Sequence, residues 1–309
     1  LSILNHDSAV ASAAARMVAA ARGRRLLEFG ARRAHEEAAV AASRAAYLVG
    51  FDATSNLEAG RRYGIPTAGT AAHAFTLLHD DEPAAFTAQV AAAGPGTTLL
   101  IDTYDTARGL DHALAAAGAD LGGVRIDSGD LAAEARRARA RLEAAGATSA
   151  RIVLSGDLDE FAIDRLTDVP VDTLGVGTSV VTGSGAPTAG FVYKLVAREA
   201  TPGGELVPVA KAGGEKATVG RWKVAARALE SGVATAELLR PAGTRRPEGS
   251  RALQIPVLRA DDVLTDLSLA AARDHHRAAV AELPAGAREV GAGPPCLPLV
   301  HLEPAELPA

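Results

Sequence analysis

The sequence predicts an α/β fold, a (β/α) barrel of about seven parallel strands with a smaller β-containing C-terminal part. Three observations predict it. Short apolar runs alternate with Ala/Arg/Glu-rich helical stretches from Leu1 to about Leu195. The runs are apolar on nearly all sides, as strands covered on both faces require. Almost every run also ends in a polar residue or Gly: Glu28, Asp52, Asp102, Asp127, Ser155 with Asp157, and Gly177. In a barrel such ends converge on one mouth, where the active site sits, whereas an open doubly wound sheet uses only the ends near its switch point.

Taken in order, the strand-length runs are 26–30, 47–51, 65–69, 98–102, 123–127, 151–155 and 173–177. Helical patterns lie between them. One covers 107–117 and stops at Gly118; the clearest covers 131–145, opening after Gly129-Asp130 and stopping at Gly146. After Gly183 the character changes. Segments 191–199 and 205–211 flank Thr201-Pro-Gly-Gly204 and read as a hairpin. A further strand is expected over 221–229, a loop over 236–248, a helix over 264–283 and an irregular Pro-rich tail from Pro284. The domain expectation is therefore 1–190 for the catalytic barrel. Residues 191–309 follow as part of a second domain, with hairpin, strand, helix and tail.

Composition narrows the function classes. The 309 residues are 48% hydrophobic and 22% charged, the balance of a folded globular chain. Lys plus Arg number 32 against 37 for Asp plus Glu, a net charge of −5 with no basic block, which argues against nucleic-acid binding. The single Cys296 excludes an intrachain disulfide and a Cys-based zinc site and fits a reducing compartment. No apolar run is long enough to cross a bilayer, so a cytoplasmic location is expected. The opening Leu1-Ser-Ile-Leu-Asn-His lacks an initiator Met and a basic n-region; it reads as mid-protein sequence with an upstream part absent.

Several strings can carry chemistry, each beside a plainer reading. Arg125-Ile-Asp127-Ser128-Gly129-Asp130 puts carboxylates and a hydroxyl at a strand-to-helix turn. They could hold ribose hydroxyls or hydrated Mg²⁺, or Asp127 or Asp130 could simply cap the helix. Gly175-Val-Gly177-Thr178-Ser179 reads as a phosphate cradle or a tight turn. Ser155-Gly156-Asp157 suits a sugar diol or an Asx turn. Asp102-Thr-Tyr-Asp105 ends a strand in two acids, which near a phosphorylated sugar imply Mg²⁺ or a developing cation between them, or else turn and cap chemistry. Gly69-Thr-Ala-Ala-His73 sets a His in a first helical turn, a candidate base or nucleophile or a surface residue. Glu28-Phe29-Gly30-Ala-Arg32-Arg33 offers a ring to stack on a flat heteroaromatic and guanidiniums for a carboxylate or phosphate, or a core Phe and solvated Arg residues. Together they describe chemistry at the anomeric carbon of a phosphorylated ribose.

In order along the chain, Glu28-Phe-Gly-Ala-Arg-Arg-Ala34, Thr54-Ser-Asn56, Gly69-Thr-Ala-Ala-His73, Leu100-Ile-Asp-Thr-Tyr-Asp105, Val124-Arg-Ile-Asp-Ser-Gly-Asp-Leu131, Leu174-Gly-Val-Gly-Thr178 and Val192-Tyr-Lys-Leu-Val196 resemble nicotinate phosphoribosyltransferase. The likeness runs from about Leu1 to Arg227; beyond that it is loose. It departs at Ala74, where a Ser is more usual, and at His35-Glu36, which replaces a Gln-Gly pair.

The resemblance implies an irregular α/β barrel joined to a second domain. It also implies that nicotinate and phosphoribosyl pyrophosphate are joined to nicotinate mononucleotide and pyrophosphate with coupled ATP hydrolysis. His73 matches the histidine that ATP phosphorylates, with Asp127 and Asp102 as catalytic carboxylates. Phe29 and Arg32 match the positions that stack on and orient the pyridine. Ser55 is carried over from Thr54-Ser-Asn56 as a substrate-binding position, and Arg125, Ser128 and Gly129 match the segment around ribose and ring. Gly156 and Asp157 match a ribose contact, and Gly175, Gly177 and Thr178 the 5′-phosphate cradle. Mg²⁺ is expected at Asp102 and Asp105, with ATP as co-substrate. A homodimer is implied, with the site near the subunit interface and an upstream Tyr reaching into the partner's site. The competing readings are a phosphate-binding barrel lyase or aldolase, which would want a strand-end Lys, and a truncated inactive barrel serving only folding or dimerisation.

Overall fold

The computed structural model describes residues 1–211, 220–291 and 293–302. The chain divides into two compact units, one of Ser2–Ala189 and one of Gly190–Ala309 together with Leu1.

The first unit opens with α1 (Ser2–Ala21), then β1 (Arg25–Glu28), α2 (Glu36–Val49), β2 (Ala53–Thr54), α3 (Leu57–Tyr63), α4 (His73–Leu77) and α5 (Glu82–Ala93). It continues through β3 (Thr98–Leu100), α6 (Thr106–Ala117), β4 (Gly123–Ile126), α7 (Leu131–Ala144), β5 (Arg151–Leu154), α8 (Glu160–Arg165), β6 (Thr173–Val176) and α9 (Thr178–Val181). The six strands form one parallel sheet in the order β2-β1-β6-β5-β4-β3. That order is a circle opened at a single seam, between β2 and β3. Strand residues Leu26, Leu99, Val124, Ile126, Ile152, Leu154, Leu174 and Val176 are all buried, so sheet formation and core formation are one event.

The run at 65–69 lies at that seam. It makes a single bridge, Thr54 to Thr67, and Thr54 exchanges hydrogen bonds with it: N–H to Pro66 O at 3.0 Å, and O from Ala68 N–H at 3.0 Å. The run expected as a strand at 47–51 belongs instead to α2 and its exit. Ala39, Val40, Ala42, Ala45, Ala46 and Val49 line the helix's buried side, and Gly50 ends it at φ 134°. Helical periodicity, reaching further than the local apolar run, decides the matter. Strand β2 is only two residues long and lies just beyond.

Acidic side chains start four helices: Asp81, Asp105, Asp130 and Asp159 each accept a backbone N–H three residues on. Asp130 is thus the cap that the Asp127/Asp130 pair left open. Helix α1 packs on α2 and α8. Its Arg16 meets the buried Glu160 at 2.8 Å, and Ser184 Oγ donates to the other Glu160 oxygen at 2.6 Å. Burial opposes ionisation of Glu160, yet the Ser184 hydrogen bond, a backbone N–H and Arg16 outweigh it and hold the carboxyl below its ordinary value. A depressed carboxyl pKa gives stability that is present above the unfolded value, about 4.3, and lost as pH falls through the folded one. Between pH 6 and pH 3, thermal melts of Glu160→Gln should therefore fall less steeply than those of the wild type. Equal slopes would remove Glu160 as an acid-sensitive tie.

The second unit contains β7 (Ala197–Glu199) and β8 (Leu206–Pro208), an antiparallel pair, then β9 (Lys223–Glu230), β10 (Val233–Pro241) and β11 (Ser250–Ala252). After the short pair β12 (Leu258–Arg259) and β13 (Asp262–Val263) come α10 (Leu269–Ala281) and β14 (Leu299–His301). Strands β11-β9-β10-β14 make a four-stranded sheet. Two expectations are corrected here. Much of the segment read as loop over 236–248 is strand, because Ser231-Gly232, with φ 50° and 84°, makes a tight hairpin turn that pairs β10 with β9. Within the tail expected to be irregular, Leu299–His301 pairs parallel with β10. Residues 292 and 303–309 of that tail lie outside the described residues.

Among the described residues no helix is long and apolar enough to cross a membrane.

Candidate active site

Because all six strands are parallel, their C-terminal ends open on one side, and the residues just beyond them build a mouth. One cavity of about 170 Å³ is lined by Phe29, Arg32, Arg33, Arg125, Asp127, Ser155, Gly156, Asp157, Gly175, Gly177 and Thr178. A second, of about 210 Å³, is lined by Phe29, Arg32, Ser55, Gly69, Thr70, Ala72, His73, Leu100, Arg125 and Asp127. Phe29, Arg32, Arg125 and Asp127 border both, so the cavities adjoin. His73, Asp127 and Gly177 therefore open on a common region.

Arg125 is the fixed point between them. Its Nε donates to Ser155 Oγ at 2.8 Å, Nη1 to Thr70 Oγ1 at 2.9 Å and Nη2 to Asp127 Oδ1 at 2.8 Å. Its guanidinium carbon lies 5.1 Å from the centre of the Phe29 ring, a cation–π contact. Gly175 makes room for that ring, since a Cβ there would come within 2.6 Å of two ring carbons. Arg32 and Arg33, by contrast, are exposed and make no side-chain hydrogen bond among the described residues. They are the guanidiniums available to an incoming anion.

Asp127 is held by Arg125 and by Ser155 Oγ, which donates to Oδ1 at 2.5 Å. Burial favours its neutral form, but the Ser155 hydrogen bond, the charge and hydrogen bond of Arg125, and His73 together hold the carboxyl below its usual value. It is a fixed negative charge at neutral pH. Gly156 stands at φ 111°, where a Cβ would lie 2.3 Å from Asp127 O, and Asp157 follows in the left-handed region at φ 48°. Backbone of this kind occurs where surrounding structure imposes it, and here it borders the cavity.

His73 and Asp102 form a second constellation. Asp102 Oδ1 is 3.1 Å from His73 Nε2. Asp102 Oδ2 accepts from Asp127 N–H at 2.9 Å and from Ser128 Oγ at 2.6 Å. With the carboxylate accepting throughout, Nε2 carries the imidazole proton and Nδ1 keeps its lone pair. Asp102 is 2% exposed and His73 39%, so a buried acid orients an accessible base.

Some expected residues stand apart. Ser128 reaches the site only through Asp102, and Gly129, at φ 80°, serves the turn into α7 and lines neither cavity. Asp105 caps α6 through Arg108 N–H at 2.8 Å and lines a different cavity, of about 460 Å³, with Asp80, Asp81, Glu82 and His112. The expected pairing of Asp102 with Asp105 around a metal is therefore not what the side chains do. Both Asp102 oxygens are engaged elsewhere, and among the described residues no group of three or more His, Cys, Asp or Glu is arranged to hold an ion. Thr70 and the buried Glu28 were given no individual role from sequence, and Ser155, read there with Gly156 and Asp157 as a sugar-diol ligand or turn, instead ties Arg125 to Asp127. A hydroxyl or an acid at the end of an apolar strand was the available signal, and it does not say which neighbour the group will meet.

No protein-family model matches the chain. Nicotinate phosphoribosyltransferase pncB1 of Mycobacterium tuberculosis (strain CDC 1551 / Oshkosh) is 55% identical over 310 residues, spanning 96% of this chain and 68% of that protein. The crystal structure of human nicotinic acid phosphoribosyltransferase superposes with a TM-score of 0.76 at 28% identity, covering 97% of this chain and 72% of that one. The fold is also shared by nicotinate-nucleotide pyrophosphorylase from Pyrococcus furiosus, with a TM-score of 0.76 at 24% identity over 90% of this chain and 71% of that one. Fold and likenesses together define the class, a phosphoribosyltransferase. The chain belongs to the nicotinate phosphoribosyltransferase family.

Proposed function

We propose that this chain joins nicotinate to phosphoribosyl pyrophosphate, releasing nicotinate mononucleotide and pyrophosphate with coupled ATP hydrolysis, a step of pyridine nucleotide salvage. The observation that carries this reading is the adjoining pair of cavities, with an aromatic ring and free guanidiniums at one border and glycine turns at the other.

In this reading the pyridine lies by Phe29, with its carboxylate toward Arg32, while the ribose meets Gly156 and Asp157 and the 5′-phosphate the Gly175–Gly177–Thr178 turn. The pyridine nitrogen's lone pair forms the new bond to the anomeric carbon, and the bond to pyrophosphate breaks with its electron pair leaving on oxygen. Positive charge grows on the sugar between those events, and Asp127, ionised by its surroundings, stabilises it. Holding both reactants in line supplies the remainder. His73 acts on ATP: Nδ1 attacks the terminal phosphorus, a P–N bond forms, and ADP departs with the bridging oxygen. Asp102 holds the ring in the reactive tautomer.

Among the described residues no group of three or more His, Cys, Asp or Glu forms a cage for an ion, so magnesium would enter with the substrate pyrophosphate and no step is routed through it. The circular strand order supports an irregular barrel of about seven strands, with the 65–69 run, bridged to β2 at Thr54, as the candidate seventh. Residues 1–190 would be its catalytic part and 191–309 part of a second domain. A cytoplasmic homodimer completes the proposal, supported near the mouth by the exposed Leu57, Leu77 and Leu78, at 75%, 61% and 84%. A Schiff-base lyase is not favoured, since no lysine lines either cavity.

The test is product analysis with nicotinate, phosphoribosyl pyrophosphate and ATP, alongside nicotinamide and quinolinate as competing pyridines. Nicotinate mononucleotide is expected. Turnover of another pyridine in its place would overturn the substrate assignment. Absence of both turnover and a thermal shift with phosphoribosyl pyrophosphate would overturn the activity of this chain.

A further inference from the structure

Glu28 is a carboxylate buried to 1% exposure at the end of β1, and among the described residues no cation pairs with it. Its bonds lead toward the mouth. Oε1 accepts the N–H of Gly30. Oε2 accepts from Ser43 Oγ of α2 at 2.8 Å and from Thr54 Oγ1 of β2 at 2.6 Å. Thr54 Oγ1 in turn accepts Asn56 N–H at 2.9 Å, and the Glu28 carbonyl accepts Ser55 N–H at 2.9 Å. Gly30 is wedged in place: a Cβ there would lie 2.3 Å from Val181 Cγ1, 2.7 Å from Gly177 O and 2.9 Å from Glu28 Oε1.

A carboxylate buried without a counter-ion is expensive, and an apolar side chain would fill this space at lower cost. What an apolar side chain cannot do is accept the Gly30 N–H, which sits inside a tight turn with no strand partner. The turn so held presents Phe29 and Arg32 to both cavities; the second turn, reached through Thr54, presents Ser55.

We propose that Glu28 is a positioning residue for the pyridine carboxylate substrate. It does not touch that substrate; it fixes the Phe29–Arg32 turn directly and the Ser55 turn through Thr54. This rests on the nicotinate reading above, and the ribose and phosphate end is held by other groups, the turns after β5 and β6.

Steady-state kinetics on the full chain test it. Glu28→Ala is expected to raise KM for nicotinate tenfold or more, on the scale of a lost hydrogen bond to a charged group, and KM for phosphoribosyl pyrophosphate by no more than about twofold. Glu28→Gln, which keeps an acceptor for Gly30, should recover most of the nicotinate affinity. Ser43→Ala, which removes a donor from Oε2 and an acceptor 3.2 Å from Thr54 Oγ1 but leaves the bonds of Glu28 to Gly30 and Thr54 in place, should lower Tm and leave the nicotinate KM alone. A purely structural role predicts lower Tm and less active protein at unchanged KM, and that result overturns the proposal. Should Glu28→Ala fail to fold, Thr54→Val cuts the arm to the Ser55 turn, and an unchanged nicotinate KM in that soluble variant overturns it equally. If the wild type uses another pyridine, the substrate reading fails while the Glu28 effect is still measurable as KM for that pyridine.

Discussion

Asp127→Ala lowers kcat for nicotinate mononucleotide synthesis by about 10²–10³-fold, the scale seen when one preorganised electrostatic group is removed from a reacting centre. The expectation follows from how Asp127 is held. Its Oδ1 receives both Arg125 and Ser155, and those partners together with His73 keep it ionised against the pull of burial. The companion variant Asp127→Asn separates shape from charge, because an amide oxygen can still accept from one of these donors. If charge is the working quantity, Asn is nearly as damaging as Ala. An Asn enzyme within a few-fold of wild type would make Asp127 a scaffold for Arg125 instead. The depressed pKa adds a sign: the carboxylate stays ionised to below the ordinary aspartate value near 3.9, so kcat/KM should show no Asp127 inflection between pH 5 and 8.

His73→Ala should abolish ADP formation coupled to product while leaving slower, ATP-independent synthesis. The imidazole borders only the second cavity, with Asp102 at Nε2 leaving Nδ1 free to act, so on the proposed reading its loss removes the phosphoryl acceptor without disturbing the Gly175–Thr178 turn. Asp102→Asn should weaken the same step about 10²-fold, since an amide no longer fixes the tautomer. Measuring ADP released per nicotinate mononucleotide in each variant decides it. Undiminished ADP stoichiometry in His73→Ala would remove His73 from its role.

Much of the first unit was legible in the chain because parallel strands buried on both faces leave an unmistakable apolar signature. The runs at 98–102, 123–127, 151–155 and 173–177 contain β3, β4, β5 and β6. The 47–51 run misled because five residues carry too little periodicity to tell the last turn of an amphipathic helix from a strand; the deciding pattern began at Ala39. Strand β10 was missed because its polar and Pro-bearing end hid a strand that pairing with β9 stabilises. At the site, residue types were readable and partnerships were not. Asp102, Asp105, Asp127 and Asp130 are the same chemical group at similar strand ends. Only three-dimensional placement makes Asp105 and Asp130 helix caps, Asp102 the orienter of His73, and Asp127 the partner of Arg125.

The neighbour relation between β1 and β6 carries a consequence for biogenesis. Arg25 pairs with Thr173 and Glu28 with Val176, so β1 remains without one lateral partner until β6, far along the chain, has emerged from the ribosome. The intervening strands can assemble on one another, from β3 across to β5, as each appears. Joining them to β1 must close a very long loop, the kind of late, entropically costly event that slows maturation and leaves a nascent sheet edge open to chaperones or to aggregation.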